Sequence, residues 1–282
     1  MATYTDVNKA NWNERAALHA KSLDYDVARL QRDATALSDV VHFDLPLLGS
    51  IEGLDVAHLQ CHIGTDTLSL ARRGAKSVVG LDFSTASIAE ARELATKAAD
   101  CQALNLRFVE ADINHAVEAL GSASFDLVFT GIGALCWLPS IKQWAKQVSG
   151  LLRPGGRLFV REGHPMVWTI DESITDAPGF VVTYSYFETS KPVESVSDMT
   201  YVDTGNRRLE NKTSFSWNHG IGEIITALLE AGMEITAFVE HRSIPWVAFP
   251  GKMEKAAEPG EWKITAGEDN VPLSYTLQAV RR

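Results

Sequence analysis

The chain is poor in the features that would mark a secreted, zinc-binding, membrane-spanning or nucleic-acid-binding protein. It holds 3 cysteines in 282 residues. Cys61, Cys101 and Cys136 are odd in number, widely spaced and form no CxxC pair, which argues against a disulfide framework or a zinc site and for buried, reduced thiols. No metal site is expected. No apolar run approaches the ~18 residues of a membrane span, and the opening stretch MATYTDVNKANWNERAA is polar, without the charged and apolar regions of an export signal. A cytoplasmic protein without membrane contact is the expectation. Clustered positive charge is missing as well: the net charge is −10, and the basic residues group no further than Arg72-Arg73 and Arg207-Arg208. A partner held through phosphates, nucleic acid above all, is disfavoured. Glycine is scarce where a dinucleotide fingerprint needs three, since the turn Gln60-Cys61-His62-Ile63-Gly64 has one.

What is present is a mononucleotide-binding half-unit over residues 54–84. An apolar stretch through Val56 and Leu59 fits a buried strand, Leu68 and Ala71 keep helical spacing over residues 65–73, and Gly74 stops that helix. Residues 77–81 give a second strand, followed at once by Asp82, 18 residues after Gly64. A carboxylate there can accept both hydroxyls of a ribose. The helix beginning after the glycine turn points unpaired N–H groups and a positive dipole end above the sheet.

The alternation continues. Ser84 caps a helix over residues 85–100 with Ile88, Ala91, Ala95 and Ala98 on one stripe. Residues 104–109 and 125–130 read as the third and fourth strands; Pro139 opens a helix; and the turn at residues 151–156 leads into a fifth strand at 157–161. A helix with Ile221, Ile224, Ile225, Leu228 and Leu229 follows, ending at Gly232, and residues 235–240 and 273–280 are expected to be antiparallel neighbours. Such crossovers imply an α/β, doubly wound, mainly parallel sheet with ligands over the carboxyl ends of its strands. Residues 163–217 break the pattern and hold eight of the chain's 24 aromatic residues. They are read as an aromatic-rich β insertion after strand 5, with strands at 184–188 and 199–216 and a hairpin turn at 204–207, packing on itself or roofing a substrate pocket.

These residues together resemble class I S-adenosylmethionine-dependent methyltransferases. The matching pieces are HLQCHIGTD in the first turn, GLDFS after the second strand, EADI after the third, FDLVFT at the fourth and LLRPGGRLFV into the fifth. The resemblance implies a seven-stranded sheet of order 3-2-1-4-5-7-6 with the last strand antiparallel, S-adenosylmethionine as cofactor, and methyl transfer to a small-molecule acceptor by in-line displacement. It divides the chain into an N-terminal helical cap, 1–50, and a methyltransferase domain, 51–282, containing the insertion 163–217. Carried over by position, Asp82 binds the ribose with Ser84 beside it, Phe83 lies on the adenine, and Asp112 accepts from the adenine amino group with Ile113 next to it. Gln60, Cys61, His62 and Gly64 pass under the methionine part, and Thr130, Gly131 and Ile132 line the opposite wall. Trp12 and Arg15 lie in a segment resembling the flap that many small-molecule members fold over the cofactor, where Arg15 can meet the methionine carboxylate. The chain departs from the family's first motif at His58, Gln60 and His62, and so is similar to a bacterial subgroup with an HLQCH-type first motif.

An oxygen or nitrogen acceptor needs its proton removed, and His164 and His219 are the candidate bases, both placed where the substrate enters. Two other classes stay open: a nicotinamide-dependent oxidoreductase, which shares the ribose acid but lacks the glycine triplet, and a non-catalytic S-adenosylmethionine-binding protein. A homodimer is left open.

Overall fold

The computed structural model describes residues 3–174, 179–267 and 269–282. The first two residues of the expected cap and residues 175–178 of the expected insertion lie outside the described residues.

Three helices come first, α1 (Tyr4–His19), α2 (Val27–Arg32) and α3 (Asp39–Leu48). The alternating unit then runs β1 (Asp55–Leu59), α4 (Thr65–Arg72), β2 (Ser77–Asp82), α5 (Thr85–Lys97), β3 (Leu106–Glu110), α6 (Ala116–Leu120), β4 (Phe125–Thr130), α7 (Ile141–Leu151) and β5 (Leu152–Gly163). After it come β6 (Val193–Val196), β7 (Thr213–Ser216), α8 (Ile221–Glu230), β8 (Met233–His241), β9 (Ser243–Ile244), β10 (Met253–Lys255), β11 (Trp262–Ile264) and β12 (Ser274–Arg281). The main sheet has seven strands in the order β3-β2-β1-β4-β5-β12-β8. This numbering differs from the expected 3-2-1-4-5-7-6 because short strands outside the sheet take numbers; counted within the sheet, β8 is sixth and β12 seventh. β12 is antiparallel to both neighbours, while β1 to β5 are mutually parallel.

Strands β1, β2 and β4 are buried on both faces, as helices on both sides of a parallel sheet require. Val56, Leu127, Phe129 and Phe159 meet α3 and α4 on one face; Leu59, Val128, Val160 and Leu277 meet α7 and α8 on the other. Trp144 of α7 is the largest fully buried side chain. Burial of each such Val, Leu or Phe contributes roughly 1.5–3 kcal/mol.

Three local readings are corrected. Pro139 does not open α7: Ser140 is the cap and Ile141 the first helical residue, with Leu138 extended, the conformation favoured before proline. The helix expected to reach residue 100 ends at Lys97, because Ala98 turns extended and the Ala99 amide bonds to the Gln31 carbonyl at 2.9 Å. In the insertion, residues 184–188 form no strand, and only Thr213–Ser216 of the expected 199–216 strand pairs, antiparallel with Val193–Val196. The 204–207 turn sits at the tip between them, its Arg207 amide 3.3 Å from the Thr204 carbonyl. Aromatic content raises strand propensity, but residues 184–188 have no partner strand, and Tyr184 and Phe187 stay exposed.

Candidate functional site

The turn after β1 keeps its shape without its glycines. Gln60 and His62 both take the left-handed conformation, at φ 54° and 48°, which costs a side-chain-bearing residue roughly 1–2 kcal/mol. Their side chains bind in return: Gln60 Nε2 donates to the Ala134 carbonyl at 2.8 Å, and His62 Nδ1 lies 3.0 Å from Ser87 Oγ. Gly64 cannot be replaced this way. Its φ is 80°, and a Cβ there would stand 2.8 Å from Ala91 and from the Phe108 ring. Cys61 turns its side chain into the α5 layer among Ile88, Ala91 and Phe108, so only its backbone faces the floor above the sheet.

Asp82 closes the end of β2. Its Oδ2 accepts from the His62 amide at 2.9 Å and its Oδ1 from the Ser84 amide at 2.8 Å, which brings the turn and the ribose acid together. Burial pushes its carboxyl up to about 6 against the pull of these amides. Phe83 is half-buried beside it. Asp112 accepts from the Asn114 amide at 2.8 Å and caps a short turn that buries Ile113. Across the floor lie Thr130 and Gly131, where a Cβ would make ordinary contacts of 3.4 Å with Asp66 Oδ2 and 3.6 Å with His58 Nε2. Ile132 packs instead on the cluster of Val167, Ile244 and Leu273, as Trp168 and Trp246 do. His58 is buried, bonds Thr67 Oγ1 through Nδ1 at 2.9 Å, and is held by desolvation at about 3. It is a neutral structural histidine.

Helix α1 lies across this floor. Trp12 packs edge-on to His62 at 5.0 Å and to Trp137 at 5.2 Å. Asn13 Oδ1 accepts from Ser84 Oγ at 2.8 Å and from the Ala86 amide at 3.1 Å, at the start of α5. On its other side α1 reads the backbone of residues 210–215. Asn8 exchanges two bonds with Phe215, Asn11 donates to the Asn211 carbonyl, and Glu14 accepts from the Glu210 and Asn211 amides. A relay crosses the centre, from Thr200 Oγ1 to His19 at 2.7 Å and from His19 to His62 at 2.8 Å. Sequence reasoning missed these ties because they join distant segments, those to residues 210–215 about 200 residues apart; the Asn8, Asn11 and Glu14 spacing is the trace of the latter in the sequence.

S-adenosylmethionine fits the donors and acceptors left here. Arg15 is buried between Trp12 and Trp137, its guanidinium 5.3 and 6.0 Å from their rings, and among the described residues no carboxylate pairs with it. Its Nε, Gln60 Oε1 and Thr130 Oγ1 are buried without a partner. Buried polar groups are normally paired, and these three are available to a ligand bound over the turn.

The two histidines expected as bases have no ring nitrogen to spare. His164 Nδ1 accepts from the Met166 amide at 3.1 Å and Nε2 faces Glu240 Oε1 at 3.1 Å. His219 Nδ1 faces Glu188 Oε2 at 2.9 Å, and Nε2 donates to the Leu135 and Leu138 carbonyls. This pairing holds the Glu188 carboxyl below its ordinary value. Missed by the sequence reading was Glu162, buried at the end of β5, whose carboxylate accepts from the amides of Gly133, Ala134, Leu135 and Gly163 at 2.6–2.8 Å. It fixes the loop that follows Thr130-Gly131-Ile132.

Residues 56–156 match the methyltransferase domain family model. The mitochondrial ubiquinone biosynthesis O-methyltransferase of Dictyostelium discoideum is 29% identical over 119 residues, 41% of this chain and 37% of that protein. The chain thus matches little more than a third of that relative's length. Among solved structures, a candidate S-adenosylmethionine dependent methyltransferase from Listeria monocytogenes aligns with TM-score 0.59 at 18% identity, covering 86% of this chain and 98% of that one. An S-adenosylmethionine dependent methyltransferase from Mesorhizobium loti gives 0.55 at 20%, over 84% and 97%. The cyclase SpnF gives 0.57 at 15%, over 99% and 97%. At these identities the likeness is one of fold. Among the described residues no helix is long and apolar enough to cross a membrane.

Proposed function

We propose that this chain is an S-adenosylmethionine-dependent methyltransferase acting on a small molecule. The observation that carries the reading is the meeting of Asp82 and the Gln60–Gly64 turn, both inside the segment that matches the methyltransferase domain, with a buried Arg15 from α1 across the same floor. The bound cofactor supplies an electrophilic methyl on a sulfonium. Asp82 takes the ribose hydroxyls, Asp112 the adenine amino group, and Arg15 the methionine carboxylate. Trp12 and the rest of α1 form a lid whose aromatic underside keeps water from the reacting centre. The left-handed Gln60 and His62 fit the subgroup with an HLQCH-type first motif. The chain's part toward a hydroxyl acceptor would be to hold its oxygen in line with the methyl group that the bound cofactor supplies.

With both nitrogens of His164 and His219 engaged, we assign these rings to positioning, and the acceptor either binds already ionised or loses its proton to solvent. The chain's work is then alignment, which for reactants held in line supplies roughly 7–11 kcal/mol. Calorimetric titration with adenosylhomocysteine and with NAD tests the reading. Micromolar binding of the first without the second supports it; the reverse overturns it in favour of an oxidoreductase. A screen of acceptors with labelled cofactor then separates an enzyme from a protein that only binds it.

A further inference from the structure

With Arg15 on the methionine carboxylate of S-adenosylmethionine, the ammonium on the same carbon atom still needs a partner, and its site has to adjoin Arg15. The surroundings oppose a cation. Arg15 is itself a positive charge, and α4 starts beneath it at Gly64 with no side chain capping its amides, so the positive end of the helix dipole faces the same floor. A carboxylate is needed to offset both.

The carboxylates already placed have other partners. Asp82 accepts from the His62 and Ser84 amides and faces the ribose, Asp112 caps its own turn through the Asn114 amide, and Glu162 is saturated by four backbone amides. Asp44 is fully buried on α3 beside Arg161. Asp66 differs. It lies in the first turn of α4, half-buried, with its Oδ2 beside Gly131, 3.4 Å from where a Cβ of that residue would stand. Burial pushes its carboxyl up, against the Ser38 and Thr65 hydroxyls and the Arg161 charge. The Tyr201 phenol, pushed up to about 12 chiefly by burial, feels both Arg15 and Asp66, so the two charges border one space. Neutral acceptors stand at the adjoining strand ends. Gln60 follows β1 and Thr130 ends β4, which pair at Leu59 and Thr130, and Gln60 Oε1 and Thr130 Oγ1 are buried without a partner. An ammonium has three N–H groups to give.

We propose that Asp66 binds the methionine ammonium of the cofactor, with Gln60 Oε1 and Thr130 Oγ1 accepting its other N–H groups, so that Asp66 and Arg15 form a clamp selecting ligands with a complete amino acid end. The proposal rests on the methyltransferase reading and adds to it a specificity-determining residue on α4. The clamp draws on two separate elements. Arg15 comes with the lid helix and Asp66 with the sheet-bound helix α4, so a ligand carrying both charges ties the lid to the floor, and one lacking the ammonium leaves Asp66 unpaired.

The test is calorimetry on the full chain, wild type and Asp66→Asn, with adenosylhomocysteine and with 4-(5′-deoxyadenosylthio)butanoate, which keeps the carboxylate and carries hydrogen in place of the amino group. Adenosylhomocysteine bound about tenfold or more weakly by Asp66→Asn, with the deaminated ligand bound equally by variant and wild type, supports the proposal. Unchanged adenosylhomocysteine affinity in the variant overturns it. An equal loss for both ligands also overturns it and assigns Asp66 to the shape of α4. Because the deaminated ligand uses the same floor, its binding also shows that the variant is folded. A wild type that binds neither ligand fails the cofactor reading itself, whereas a wild type that binds adenosylhomocysteine beside an indifferent Asp66→Asn fails the clamp alone, so the two failures are distinguishable.

Discussion

His19 Nδ1 lies 2.8 Å from His62 Nε2, one ring from the lid helix and one from the turn beneath it. Only one of the two nitrogens can carry the proton, so the accepting ring is neutral and the pair is never doubly charged. Burial, together with mutual repulsion and the nearby Arg15, holds His19 well below its ordinary value, and burial with Arg15 holds His62 at about 3. A base whose folded value is depressed stabilises the fold above its unfolded value near 6.5, and that stability is lost as the pH falls toward 3. The expected outcome is a melting temperature that declines below pH 6.5, with a shallower decline in His19→Gln; melts across pH 4–8 on both proteins check it.

Asp82 works in the opposite sense. Its carboxyl is raised to about 6, so its contribution to stability is present below the unfolded value near 3.9 and is lost as the pH rises through 6. The ionised form is the better acceptor for ribose hydroxyls. Adenosylhomocysteine affinity is therefore expected to rise between pH 5 and 7, and Asp82→Asn to weaken it about 10- to 100-fold while flattening that rise, as measured by calorimetry in a series of buffers.

Arg15→Met keeps most of the stem that packs between Trp12 and Trp137 and removes a buried charge that no carboxylate balances. The apo protein is expected to melt at the same temperature or higher, and adenosylhomocysteine to bind about tenfold or more weakly. A parallel loss of stability and affinity would instead assign Arg15 to the fold.

Gly64→Ala meets two penalties at once, the left-handed backbone and contacts of 2.8 Å with Ala91 and Phe108. Overpacking of this kind costs about 1–3 kcal/mol and the backbone about 1–2 more. A loss of several degrees in melting temperature is expected, with cofactor affinity falling alongside because α5 and the turn move together.

His219→Ala strips the partner from Glu188 and from the Leu135 and Leu138 carbonyls. The expected result is a stability loss of roughly 1–3 kcal/mol by urea titration, with no loss of a basic limb near neutral pH in the rate profile. Disappearance of such a limb would restore His219 as the base.

Much of the sheet could be read from the sequence because its signals are local. FDLVFT, with Leu127 and Phe129 on one face and Val128 on the other, is β4 to the residue, and Asp82 is marked by its place at the end of an apolar run. The turn was legible down to its departures: Gln60 and His62 stand where glycine is usual, and both hold glycine-like backbone angles. Glu162 was not legible, because it looks like an ordinary strand residue until β5 is laid beside β4, whose following loop supplies its amides. The insertion misled for the same reason in reverse: residues 184–188 have strand composition, but pairing is a property of two segments and only one was in view.

Helix α1 holds residues 210–215 chiefly by their main-chain amides and carbonyls, with the Asn211 side chain on Glu14 and the Phe215 ring on Tyr4 added. Main-chain groups are the same whatever side chains the segment carries. Glu210, Lys212, Thr213 and Ser214 can thus be exchanged over generations while the segment keeps its grip on the helix.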